Sequence, residues 1–310
     1  MKKVISILAL VIATGTVELK SQQDPQFTHY MYNTVNVNPA YAGTRDVFNI
    51  NLLHRSQWVG LDGAPTSQTL SFNTPLRNKK MGVGLSVVND RIGPINQTFI
   101  YADYSYTVKL TEKMKLSFGM KAGINWFQPK ISSLSTVQGN DPSFIEASAT
   151  NTIKPNIGAG IYLHHDNWYV GVSSPRLVEN KFKLGSISND TASLKENRHT
   201  FFIAGCIIPV TKDLKLKPTV MVKTVVNSPI SIDVTLEALI YNKFSLGAGV
   251  RVNDSFYAML GYQFSTQFKA SFAYDYTTTR LQNINNGTIE IMLNYDFFFN
   301  NDKLRSPRYF

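Results

Sequence analysis

The stretch Met114-Lys115-Leu116-Ser117-Phe118-Gly119-Met120-Lys121-Ala122-Gly123-Ile124-Asn125-Trp126 alternates without a break. Met114, Leu116, Phe118, Met120, Ala122, Ile124 and Trp126 are apolar, and lysine, serine, glycine and asparagine stand between them. Successive side chains of a β-strand point to opposite faces, so this stretch predicts a strand with one greasy and one wet face. It is about twice as long as the ~5–6-residue strand of ordinary globular proteins, and it ends on a tryptophan. Long two-faced strands with aromatic ends are what a transmembrane β-barrel requires.

Segments of the same kind recur near 46–57, 66–73, 80–89, 97–109, 113–127, 154–164, 167–173, 198–208, 213–224, 230–241, 243–253, 255–264, 266–278 and 287–299. An even count suits single-chain bacterial barrels. If the first segment rises from the periplasm, odd-numbered connections face outward. The two longest, about 128–153 and 174–197, are the fifth and seventh, while the tight turns near 110–112, 165–166, 209–212, 242 and 265 are all even-numbered. Short periplasmic turns and longer outer loops are the rule for such barrels. Trp58 and Trp126 fall at outer strand ends and Trp168 at an inner one, as an aromatic girdle demands. The predicted fold is therefore all-β: a transmembrane antiparallel β-barrel of about 14 strands occupying residues 46–299, preceded by a plug-like N-terminal segment.

Composition agrees. Lys2 and Lys3 precede an apolar run from Val4 to Ala13 that is too short to span a bilayer, so residues 1–21 read as a secretory signal peptide. Mean hydropathy is −0.12, an average that alternating strands produce as readily as a soluble chain does. Net charge is +10; removal of the signal, with three lysines and one glutamate, leaves +8 spread over many strands. No basic cluster or helix points to nucleic acid. Cys206 is the single cysteine, which excludes an internal disulfide framework.

No catalytic, cofactor or metal site is expected. Gly82-Val83-Gly84, Gly158-Ala159-Gly160 and Gly247-Ala248-Gly249 lack the third glycine, the helix and the Lys-Ser/Thr of phosphate loops. They lie mostly on the inward face, where they leave room for strand curvature or a plug. His164 and His165 point to opposite faces of one strand, and the other histidines are scattered. The wet faces carry Lys215, Lys217 and Lys223, then Asp233 and Glu237, then Lys243 and Arg251, and further round Lys269, Asp275, Glu290 and Asp296. Alternating sign on neighbouring strands predicts a cross-strand ion-pair lattice in the lumen rather than an open aqueous pore.

Three stretches are specific. Gln22-Gln23-Asp24-Pro25-Gln26-Phe27-Thr28-His29-Tyr30-Met31-Tyr32-Asn33 leads to Asn38-Pro39-Ala40-Tyr41-Ala42-Gly43. Arg55-Ser56-Gln57-Trp58-Val59-Gly60-Leu61-Asp62-Gly63-Ala64-Pro65 continues to Thr69-Leu70-Ser71-Phe72, and the chain closes on Ser306-Pro307-Arg308-Tyr309-Phe310. With Asn89-Asp90-Arg91-Ile92-Gly93-Pro94 and Ala273-Tyr274-Asp275-Tyr276, this pattern resembles the PorP/SprF family of the Bacteroidetes type IX secretion system over essentially the whole mature chain. One departure is Ile289, which stands where the family often has a histidine before the Glu-Ile of its last strand. The resemblance implies an outer-membrane barrel that works with other type IX components. It also implies support for secretion and surface anchoring of large adhesins, gliding adhesins among them, through the cargo's C-terminal domain. The alternative is a channel for small or hydrophobic solutes, in the manner of fourteen-stranded fatty-acid transporters.

Residues 22–45 are too polar to face lipid and carry Phe27, Tyr30, Tyr32, Asn38, Pro39 and Tyr41, so a short helix and turn filling the lumen or lying beneath it is expected. In the first outer loop, Trp58 and Leu61 offer apolar anchors, with Asp62 between them and the turn formers Gly63 and Pro65. Two readings stand: a rim element sealing the barrel, or part of a cargo-docking surface shared with the long outer loops. The tail 300–310 contains Pro307, which breaks strand pairing, so Arg308, Tyr309 and Phe310 are expected on the periplasmic side as a partner contact or an assembly signal.

Overall fold

The computed structural model describes residues 25–130, 151–187, 190–226 and 228–298, and all of their side chains except those within 183–193. The strands are β1 (Phe48–Ser56), β2 (Thr66–Pro75), β3 (Met81–Ile92), β4 (Ile95–Lys109), β5 (Lys115–Pro129), β6 (Thr152–His164) and β7 (Trp168–Ser174). A hairpin follows, β8 (Lys181–Ile187) and β9 (Asp190–Lys195), and then β10 (His199–Cys206) and β11 (Ile208–Pro209). The chain continues through β12 (Leu214–Val225), β13 (Ser231–Ile240), β14 (Phe244–Arg251), β15 (Ser255–Gln263), β16 (Phe268–Thr277) and β17 (Thr288–Phe297).

All wall pairings are antiparallel, and β1 pairs with both β2 and β17, from Phe48↔Phe297 to Ser56↔Ile289, so the sheet closes on itself. β10 and β11 are two parts of one wall strand. Their register against β12 is the same on both sides of the break, Gly205↔Thr219 and Ile208↔Leu216, and Pro218 stands in the gap with no N–H to donate. The wall thus has fourteen strands, and each coincides with one of the alternating segments of the sequence.

The faces are inverted relative to a soluble β-protein. On β5 the polar or small residues Ser117, Gly119, Lys121 and Asn125 are buried, while Phe118 and Trp126 are exposed and Met120 is 70% exposed. Leu246, Phe256, Leu260, Phe272 and Ile291 continue the outward apolar band around the wall. Such a surface is stable only against hydrocarbon. Among the described residues no helix is long and apolar enough to cross a membrane, so the strands do the spanning.

The connections refine the expected asymmetry. The long ones share one rim, yet two connections of that same rim are tight: Gly93 and Pro94 alone join β3 to β4, and residues 252–254 join β14 to β15. The connection 174–197, expected to be a plain loop, contains β8 and β9. This hairpin is fastened to the wall at its base. Phe182 stacks on Phe127 at 4.7 Å, and buried Glu196 accepts from Asn125 at 2.6 Å and Asn180 at 2.9 Å. Residues 1–21, expected to be a signal peptide, most of the connection 128–153, and the tail with Arg308, Tyr309 and Phe310 lie outside the described residues.

Candidate functional site

Residues 25–45 run inside the barrel. The helical turn α1 (Thr34–Val37) leads to a 3-10 turn at Pro39–Tyr41. Asn38 starts the second turn because its side-chain oxygen accepts from the Ala40 N–H at 3.0 Å, and Pro39 supplies the fixed φ of a first helical position. Gly43 leaves the turn with a φ of 67°, and a Cβ there would lie 2.6 Å from the Gly82 Cα. Only glycine tolerates both conditions. Tyr30, Asn38, Pro39 and Tyr41 are buried, whereas Phe27 and Tyr32 are half-buried.

One side of this segment is held by acids of the wall. Glu290 on β17 accepts from the Thr28 N–H at 2.9 Å, the His29 N–H at 2.7 Å and the His29 ring at 2.7 Å. Arg55 on β1 reaches the same carboxylate at 2.9 Å and Asp275 on β16 at 2.8 Å. Asp275 also accepts from the Thr28 hydroxyl at 2.9 Å. Arg251 joins Asp233 at 2.9 Å to Asp275 at 3.5 Å, and Gln26 donates to Asp233 at 2.6 Å. The Tyr32 hydroxyl donates to Glu237, which Lys217 and Lys269 neutralise at 3.4 and 3.5 Å. Both ammonium groups also sit over the Tyr32 ring, at 4.5 and 3.9 Å.

The ion-pair lattice read from the alternating charges is present, with two corrections. Lys243 lies in the exposed turn between β13 and β14, and Lys215 is half-buried near the same rim, donating to Asn242 at 2.9 Å. Both obey strand parity but sit beyond the level of the lumen, because parity fixes the face and not the height.

The other side of the segment rests on a row of small residues. The pairings Gly82↔Ser105, Ser105↔Gly119, Gly119↔Gly160 and Gly160↔Ser173 place five such residues at one level across β3 to β7. The 3-10 turn lies against that row. A Cβ on Gly119 would fall 2.1 Å from the Ala40 N, one on Gly82 2.1 Å from the Ala42 O, and one on Gly160 2.1 Å from the Asn38 Oδ1. In the same row, Ser105 donates to the Ala42 carbonyl at 2.6 Å and Ser173, at its end, to the Val37 carbonyl at 2.8 Å. Lys121, paired with Asp103 at 2.9 Å, donates to the Val35 carbonyl at 3.3 Å.

Apolar contact completes the fit. Tyr30, Met31, Val35, Tyr41 and Ala42 form one buried cluster with Tyr162, Tyr169, Phe201, Ile203 and Met221 of the wall. Tyr41 meets Tyr162 edge to face with ring centroids 5.6 Å apart. Burial pushes the Tyr30 phenol up to about 12, so it stays neutral and donates to Thr219 at 3.1 Å. Glu290→Ala is expected to loosen the segment by about 1–3 kcal/mol, because it leaves the Thr28 N–H, the His29 N–H and the His29 ring without their acceptor in a buried place, while Arg55 keeps Asp275. The measurement is limited proteolysis of the purified barrel, read at the bonds flanking Thr28; cleavage no faster than in the unchanged protein would count against the anchor.

The first outer loop is separate from this site. The Trp58 N–H donates to Thr288 at 3.1 Å, Val59 and residues 286–287 exchange backbone bonds of 2.7 and 2.8 Å, and the Gly93 N–H donates to the Gly63 carbonyl at 2.9 Å. Trp58, Leu61 and Pro65 are half-buried in this rim, and Asp62 is exposed. Asp275 and Glu290 had a legible face but not a legible partner, and Arg55 stood out only as part of a family stretch. His29 and Thr28 had neither, although all but Glu290 lie in the quoted family stretches. Among the described residues no cluster of His, Cys, Asp or Glu is placed to hold a metal ion.

Solved barrels resemble the fold at low identity. The CymD monoaromatic hydrocarbon channel is 12% identical with a TM-score of 0.51, over 86% of this chain and 93% of that one. The toluene transporter TodX of Pseudomonas putida is 10% identical with a TM-score of 0.49, over 86% and 94%. Comparison with curated proteins finds no match. Residues 19–295 match the family described as "Type IX secretion system membrane protein PorP/SprF". An outward apolar wall of fourteen strands around a polar lumen is what a membrane protein of that description requires, and the chain belongs to the PorP/SprF family, an outer-membrane β-barrel of the type IX secretion system.

Proposed function

We infer that this barrel is a filled outer-membrane anchor that supports secretion and surface attachment of a large adhesin through the cargo's C-terminal domain. Residues 22–45 act as its plug, 46–299 as its wall and 300–310 as a periplasmic tail. The observation that carries the reading is the fastening of residues 28–42: charged anchors on one side, backbone against glycine on the other, and a shared aromatic core between. A conduit has no use for a lumen occupied in this way, whereas an anchor gains a rigid platform from it. Family and fold are those of a secretion-system membrane barrel rather than of an enzyme family, and other type IX components are its partners by membership.

Cargo binding falls to the outer rim. The loop carrying Trp58, Leu61, Asp62 and Pro65 is cross-linked by backbone bonds to two neighbouring outer connections, so it offers a preformed surface at low ordering cost. The test is purification of the tagged barrel from native membranes. Recovery of a large secreted protein bound through its C-terminal domain supports the reading, and Leu61→Ala with Pro65→Ala is expected to lower that recovery by about tenfold. Recovery of the barrel without cargo from cells that display the adhesin overturns it. Removal of Ser306 to Phe310 separates the roles of the tail: normal membrane assembly with lost cargo display marks a partner contact, and failed assembly marks a folding signal.

A further inference from the structure

The rim formed by the short turns, the periplasmic one in barrels of this kind, is unevenly charged. On two neighbouring turns, β2 to β3 and β4 to β5, Arg77, Lys79, Lys80, Lys109 and Lys113 are all exposed. None of these five side chains has an ion pair or hydrogen bond among the described residues. The acids at hand are Glu112 in the second turn and Asp46 just ahead of β1, so five cations stand against two carboxylates. The rest of the rim is sparser. Asp166 lies before β7, Lys212 beside Asp213 before β12 and Lys243 before β14, and the turn 264–267 before β16 carries no charge.

Backbone bonds fix both basic turns. The Leu76 N–H donates to the Met81 carbonyl and the Lys79 N–H to the Leu76 carbonyl, each at 2.8 Å. The Asn78 side chain accepts from the Lys80 and Met81 N–H groups at 3.1 and 3.2 Å. In the second turn the Leu110 N–H donates to the Met114 carbonyl at 3.0 Å, and the Thr107 N–H ties the two turns together through the Lys80 carbonyl at 2.6 Å. The bases of the five side chains are therefore held relative to one another, which lowers the ordering cost of a shared ligand.

An apolar stripe ends at the same place. Tyr106, Val108 and Leu110 are 40%, 39% and 48% exposed and alternate with the inward Ser105 and Thr107, and Leu76 of the neighbouring turn is 38% exposed. They carry the outward apolar band of the wall up to the cations. An acidic protein would need the cations and not the stripe, whereas a charged lipid needs both.

We propose that this arc is a binding site for an anionic glycerophospholipid of the surrounding leaflet. An acyl chain lies along Tyr106, Val108 and Leu110, and the headgroup phosphate meets the cluster of Arg77, Lys79, Lys80, Lys109 and Lys113. The site is independent of cargo anchoring.

The full-length barrel in detergent is equilibrated with equal amounts of phosphatidylglycerol and phosphatidylcholine and repurified, and the retained lipid is quantified by mass spectrometry. Enrichment of phosphatidylglycerol by about tenfold is expected, falling to parity when all five cations are changed to glutamine and persisting when the four lysines are changed to arginine. Heat resistance on unheated gels reports assembly of each variant. Lys109→Gln with Lys113→Gln, expected to lower the enrichment about threefold, carries the test if the larger variant does not assemble. Equal retention of the two lipids by the unchanged barrel, or undiminished enrichment in the assembled glutamine variants, would overturn the proposal. An acidic protein lost from such a variant while lipid enrichment stays the same would also overturn it and assign the arc to a protein.

Discussion

Deleting residues 24–43 is expected to convert a silent barrel into a conducting one. Barrels of about 8 strands are filled by their own side chains, and those of about 16–18 leave an aqueous channel, so fourteen strands enclose more space than their inward residues fill. Here the segment supplies the missing volume. Removing it does not unzip the wall, because closure rests on the β1 to β17 pairing, in which the segment takes no part. Nor does it leave the lumen charges alone: Arg55 keeps Asp275 and Glu290, Arg251 keeps Asp233, and Lys217 keeps Glu237. Water then replaces the lost polar contacts at modest cost. Single-channel recording in planar bilayers is expected to show stable openings at least about tenfold larger than any in the full chain. Unchanged conductance in a correctly assembled barrel would sink the plug.

Gly119→Val separates plug from wall. In the strand itself the change is favourable, since a β-branched residue is a better strand former than glycine. Toward the lumen it is not. The new Cβ would fall 2.1 Å from the Ala40 N and 2.4 Å from the Ala40 Cα, and these are backbone atoms that no rotamer change can move aside. Overpacking of side chains costs about 1–3 kcal/mol, and a clash with backbone costs more. The 3-10 turn is therefore expected to leave its seat while heat resistance of the barrel on unheated gels is kept or raised. Gly261→Ala is the control, also on a wall strand, since its nearest neighbour would be the flexible end of Lys269 at 3.1 Å. A channel in Gly119→Val and none in Gly261→Ala is the expected pair of results. Silence in both would show that the glycine row does not seat the segment.

Both predictions rest on contacts that could not be read along the chain. The wall could be. A period of two is a local property, and Phe118, Met120 and Trp126 declare their face through their immediate neighbours. The hairpin β8–β9 escaped because it departs from the wall, and its anchor Phe182 depends on a ring in β5, Phe127, more than fifty positions earlier. The lumen residues were half legible. Parity put Lys217, Glu237, Arg251, Asp275 and Glu290 on the inner face, but it put Lys243 there too, and only closure of the sheet set which of them stand at the height of the segment.

By itself the sequence determined the architecture: fourteen two-faced strands, their order, the side that carries the long connections and the medium they face. Those follow from nearest-neighbour chemistry repeated along the chain. Only the tertiary structure decided what fills the barrel. Gly82, Ser105, Gly119, Gly160 and Ser173 come from five strands and become one seat only when the sheet brings them to a single level. His29 and Glu290 meet across 261 residues because a closed barrel returns its last strand to its first. Periodicity fixes a face within one strand, whereas a site in a lumen is a coincidence of heights among many strands, and that coincidence exists only once the wall has closed.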